Sequence, residues 1–172
     1  MNPDTPWVRW GSEARAKLAA SLERLGPVLV HNAATLLLAP GVGGAVSDVP
    51  SIMKLDQDCR RIAPGSLGIV LEPAALLAPS MVGDAADHLA RLYALAGLAA
   101  TVAVVVSNVR PGGSGTETEP TDFDRGLIDA AVLRSCVFEL IAGPAIGGSL
   151  KLVVRGDPAK FGAWLAGGGP SG

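Results

Sequence analysis

The sequence predicts an α/β fold: a four- to five-stranded, mostly parallel sheet with helices on both faces. Three observations predict it. From residue 67 onward the chain reads strand, helix, strand, helix, strand. Crossovers of that length join parallel neighbours by right-handed units. Residues 101–107 (TVAVVVS) are β-branched and apolar on both sides, as in a central parallel strand. Residues 84–98 place Leu89, Leu92, Tyr93 and Ala96 on one helical stripe, opposite Asp84, Asp87, His88 and Arg91. The N-terminal half is less regular, and an α+β arrangement is the alternative.

The elements are expected in the following order. Residues 12–25 read as a helix capped by Ser12, with Ala14, Leu18, Leu22 and Leu25 on one face and a Glu13–Lys17 pair on the other. Gly26–Pro27 reads as its stop. Residues 28–38 read as extended, and 39–50 as a Gly/Pro-rich loop. A short helix over 51–61 would use Ser51 as its cap. Residues 67–72 read as a buried strand, followed by the helix over 84–98 and the strand over 101–107. A long polar loop is expected over 108–120. Thr121 and Asp124 imitate a capping box for a helix from Asp122 to Ala142, which Gly143–Pro144 ends. A strand over 149–155 and a short helix over 158–166 complete one domain, residues 1–166. Residues 167–172 (GGGPSG) read as a flexible C-terminal tail.

Composition sets the functional bounds. The 172 residues are 49% apolar and only 17% charged, with a net charge of −2. That balance argues for a packed core and for apolar surface covered by a partner. No basic face or stripe is visible, which excludes an ordinary nucleic-acid footprint. Met1–Trp10 has no apolar signal core, so a cytoplasmic location is expected. Residues 25–47 and 92–109 lack any Asp, Glu, Lys or Arg. Internal Pro and Gly in the first, and a helix-to-strand switch in the second, favour core over membrane.

No motif identifies a reaction. Gly41, Gly43 and Gly44 follow an apolar run, but no helix opens at once to hold a phosphate, so a plain turn is expected. Ser51–Ile52–Met53–Lys54 matches the S-x-x-K string of some acyl enzymes, without its companion strings. Cys59 stands beside Arg60 and Arg61, which would lower its pKa if the three converged; an ordinary thiol is the plainer reading. Cys136 falls in an apolar helix pattern. His31 and His88 are the only imidazoles, and no group of His and Cys has metal-ligand spacing, so no metal and no cofactor are expected.

The expectation is therefore a non-catalytic domain that works by association, with itself as a homo-oligomer or with another protein, and with no nucleic acid or membrane partner. Trp7, Trp10 and Trp164 are the candidate interface residues, because aromatic side chains are enriched there. The alternative is a small enzyme or ligand-binding protein with an anion site at the carboxyl ends of the strands. Asn108, Arg110, Gly112 and Gly113, with Gly115 beyond them, would form that site. Ligands of open α/β sheets bind beyond the strand ends, and a guanidinium fork with glycine amides suits an anion.

Overall fold

The computed structural model describes residues 11–113, 117–143 and 150–167. Trp7, Trp10, Gly115 and nearly all of the C-terminal tail lie outside that range. The first helix, α1 (Ser12–His31), starts from Gly11 rather than from a Ser12 cap and runs straight through Gly26–Pro27. Residues 28–31 are thus helical, not extended. Gly26 is there for packing: a Cβ on it would come within 2.7 Å of Ile62 Cγ2. Pro27 then costs the helix one hydrogen bond, which the packed surroundings tolerate.

Strand β1 (Leu36–Leu38) follows. The amides of the loop after it are taken up by backbone carbonyls: Gly41 N donates to Val46 O at 3.1 Å, Val42 N to Ala75 O at 3.0 Å and Gly44 N to Gly41 O at 3.0 Å. Helix α2 (Val49–Ile62) is capped by Asp48, with Ser51 in the third position. Asp48 Oδ1 accepts from Ser51 N at 2.7 Å, and Ser51 Oγ accepts from Asp48 N at 3.1 Å. This reciprocal pair moves the cap three residues upstream of the one expected.

Strand β2 (Leu67–Leu71), α3 (Ala85–Ala94) and β3 (Thr101–Val106) fall close to their expected positions. The segment 108–121 does not stay a loop. It folds as an antiparallel hairpin of β4 (Asn108–Pro111) and β5 (Thr118–Thr121). Helix α4 (Ala130–Ala142) begins eight residues later than Thr121 and Asp124 suggested, on an Asp129 cap whose Oδ1 accepts from Ala131 N at 2.7 Å. Strand β6 (Lys151–Val154) and α5 (Pro158–Leu165) close the chain.

The result is mixed α/β. One sheet has the order β1-β2-β3-β6, all parallel, and α2, α3 and α4 pack together on its face of Ile69, Leu71, Val104 and Val106. The strands of this sheet lie in chain order, with the β4–β5 hairpin intervening between β3 and β6. Leu67, Ile69, Leu71, Val104 and Val106 join Ile52, Leu55 and Cys59 of α2, Leu89 of α3, and Leu133 and Val137 of α4 in one apolar cluster. Among the described residues no helix is long and apolar enough to cross a membrane.

Candidate functional site

The carboxyl edge of the sheet is where the topology would put a ligand. Asn108 follows β3 there, but its carboxamide is committed to the fold. Oδ1 accepts from Val109 N at 2.8 Å and Ile128 N at 2.9 Å, and Nδ2 donates to Ile128 O at 3.0 Å. The side chain is 3% exposed and pins the turn over 122–128 beneath the hairpin. Gly126 makes room for it, at φ +146°, where a Cβ would lie 2.4 Å from Asn108 Oδ1.

Arg110 points away from this edge, exposed along the hairpin. Its Nη2 meets Glu119 Oε2 at 3.3 Å. Gly112 N donates to Glu117 O at 2.7 Å, closing the hairpin. Gly113 N faces Glu119 Oε1 at 3.4 Å, so an acid already stands where an anion would dock. The expected grouping of Asn108, Arg110, Gly112 and Gly113 around one ligand thus resolves into a structural amide and a hairpin with its own counter-charge.

The strand ends are bridged instead by two residues that nothing local pairs. Arg155, just after β6, donates from Nε to Glu72 Oε1 at 2.9 Å and from Nη2 to Glu72 Oε2 at 3.1 Å. Glu72 follows β2, so this fork spans the end of β3. Its hydrogen bonds push the Arg155 pKa further up. The guanidinium at the favoured anion position is thereby neutralised from within the chain. Ser107, fully buried at the end of β3, has no hydrogen-bond partner for its Oγ among the described residues.

The remaining chemical candidates are also occupied. Ser51 Oγ serves the cap, and Lys54 Nζ pairs with Asp58 Oδ1 at 3.0 Å, one turn further on. No Ser–Lys couple forms. Cys59 is buried, its thiol pushed up to about 11 by burial and then by Asp56 and Asp58. Arg60 does not reach it, because its guanidinium binds Asp56 Oδ2 at 2.9 Å. Cys59 is thus neither the thiol lowered by converging arginines nor an ordinary thiol near solvent, but a buried one whose pKa is raised. Cys136 is buried as well, and burial raises its pKa too. No group of three His, Cys, Asp or Glu that could hold a metal occurs among the described residues.

Trp164, expected at an interface, lies inside the fold at 4% exposure. Phe123 meets it edge-on at 5.0 Å, Phe161 stacks on it at 5.6 Å, and the Arg134 guanidinium lies 5.8 Å above its ring. These contacts seat α5 against α4 and the chain after β5.

The surface that stands out is the second face of the sheet. Ladder partners point the same way, so the register Leu37–Gly68, Val70–Ala103–Lys151 and Val105–Val153 defines it. Val102 joins it: a Cβ on Gly68 would sit 3.0 Å from Val102 Cγ1 and 3.1 Å from Leu37 Cδ2. The opposite face is buried almost completely, with Ile69, Leu71, Val104 and Val106 each at 0% exposure. On this face Leu37 is 51% and Val153 45% exposed. Val70, Val102 and Val105 are half-buried. Lys151, on the edge strand β6, is the only charged side chain of the set.

No family model, curated protein or solved structure matches this chain.

Proposed function

We propose that the protein is an association module, and that a second copy of the same chain covers the open face of its sheet. The observation that carries this reading is the exposure of Leu37, Val153 and their half-buried neighbours on a four-stranded parallel sheet. Parallel sheets are ordinarily covered on both faces, because their strands are apolar on both. A self-complementary stack would set two such faces about 10 Å apart, as in other sheet-on-sheet packings. Isologous twofold pairs are the commonest closed solution. The face has almost no charge with which to select a different partner. Its one lysine sits at the margin, where its stem lies over apolar surface and its ammonium reaches water. The low charge of the whole chain, 17%, is in keeping with surface that is buried in an assembly. The occupied state of Ser51, Cys59 and Arg155 favours association over catalysis.

Light scattering tests the reading. At tens of micromolar the protein should have twice the 17.4 kDa mass of one chain. Val153→Asp, which a free monomer tolerates because the site is 45% exposed, should return the mass to that of one chain. A monomer mass for the unmodified protein overturns the proposal.

A further inference from the structure

The open face of the sheet is not uniform along its strands. The alternation that turns Val70 and Val153 towards it turns Glu72 and Arg155, two residues further on, the same way. Arg155 N donates to Val106 O at 2.9 Å, so the ladder carries the alternation that far. Ser107, two residues on from Val105, is covered at 0% exposure, as a fork across the end of β3 requires. The Glu72–Arg155 fork is thus a charged bar at the carboxyl end of an apolar face, with its cation rooted on β6 and its anion on β2. It is open to a partner: the Arg155 side chain is 45% exposed and that of Glu72 14%.

The other charge of this face is Lys151, exposed two residues before Val153. On β6, Val153 therefore stands between two cations, whereas on β1 Leu37 stands between Thr35 and Ala39. Two aligned isologous stackings of such a face are possible. A twofold axis across the strands lays β6 on the same strand of the other copy with its direction reversed. Wherever that axis lies, Lys151 then meets the partner's Lys151 or the partner's Arg155, and the two forks stand at opposite ends. A twofold axis along the strands lays β6 on the charge-free β1 of the other copy and brings the two carboxyl ends together. The forks then cross the same end in opposite directions, the cation of each beside the anion of the other. Juxtaposed like charges disfavour the first arrangement, and the paired forks favour the second.

We infer that the second copy is related to the first by a twofold axis along the strands, with the two Glu72–Arg155 forks side by side and antiparallel, each guanidinium reaching the partner's Glu72. This geometry rests on the association proposed above and deepens it. Apolar contact over Val70, Val102 and Val105 supplies the attraction, and the forks choose which strand lies on which. The internal bonds of each fork fix both side chains before contact, so little side-chain freedom is lost when the copies meet.

Charge reversal read by sedimentation equilibrium tests the arrangement. Glu72→Arg makes the fork wholly cationic, and Arg155→Glu makes it wholly anionic. Each chain alone should dimerise at least roughly ten-fold more weakly than the unmodified protein. An equimolar mixture of the two should recover most of that loss, because each cation again faces an anion. Circular dichroism shows whether each chain keeps its fold. Glu72→Gln together with Arg155→Gln leaves no like charges to strain the fold; this double variant should dimerise at least roughly three-fold more weakly, with less dependence on salt. Where the unmodified protein is a dimer, three results overturn the geometry and leave the association standing. They are an Arg155→Glu chain that dimerises more tightly than the unmodified protein, as β6 stacked on its own counterpart would give; a mixture no tighter than its components; and a double variant as tight as the unmodified protein. A monomer mass for the unmodified protein overturns both.

Discussion

Asn108→Ala is the sharpest test of how this fold is held together. The substitution strips partners from three backbone groups at once: the N–H groups of Val109 and Ile128 and the carbonyl of Ile128. Both residues are buried, at 0% and 4% exposure. A buried polar group left without a partner costs about 1–3 kcal/mol. A water admitted to the vacated space re-satisfies part of the set, and losses at one locus do not add. The expected destabilisation is therefore about 3–4 kcal/mol, a large share of the 5–15 kcal/mol typical of a domain. Urea unfolding followed by far-ultraviolet circular dichroism measures it, as a lower midpoint at unchanged slope. Amide exchange at Val109 and Ile128 should quicken in the same variant. A loss below about 1 kcal/mol, with both amides still protected, would refute the assignment of Asn108 as the pin of the 122–128 turn.

Three further outcomes are expected. Cys59, with its thiol at about 11, should resist alkylation at pH 8 until denaturant is added, since about one thiol in a thousand is ionised there. Its neutral form is the one the fold favours, so its contribution to stability is whole below the ordinary value of 9.0 and is lost as pH rises from there towards 11; a midpoint series across that window reads this out. Gly126→Ala should destabilise by at least about 2 kcal/mol, because a side chain at φ +146° is strained and its Cβ would strike Asn108 Oδ1 and Val109 O at 2.4 Å; a midpoint equal to that of the parent protein would contradict this. Asp48→Ala should cost about 1 kcal/mol by uncapping α2. The hydrogen bond with Ser51 holds the Asp48 carboxyl below its ordinary 3.8, so in the parent protein the cap is intact above that pH and is lost as pH falls through the lowered value, measurable as a midpoint difference that closes in acid.

The second half of the sheet was legible because its elements carry a single, undisturbed signal. The β-branched run before Ser107 and the apolar stripe of Leu89, Leu92 and Tyr93 specify a central strand and the helix on it without tertiary help. The N-terminal helix was misread at Gly26–Pro27, the pair that usually ends a helix, where Gly26 packs against Ile62, a partner 36 positions away. The hairpin was misread because Gly112, Gly113 and the acids around them look like a solvated connector. Its pairing of Arg110 with Glu119 becomes visible only once the register is known. Asp129 lost to Thr121 as a cap because the imitation of a capping box came first in the chain, and nothing local says that residues 122–128 wrap under Asn108. The candidate site failed for the same reason: the Glu72–Arg155 fork joins residues 83 apart. The open sheet face, too, follows from strand order alone, and strand order is not written in periodicity.

Methyl-resolved NMR with a soluble paramagnetic agent tests the central claim most directly, because it asks which apolar surface water reaches. In an assembly built on the sheet, the methyl groups of Val70, Val102, Val105 and Val153 should be shielded from the agent. Those of Leu25 and Val28, exposed on α1 at 44% and 55%, should be broadened. Val153→Asp should leave the α1 methyls as they were and bring the remaining sheet-face methyls to comparable broadening. Sheet-face methyls broadened as strongly as those of Leu25 and Val28 in the unmodified protein would contradict the account.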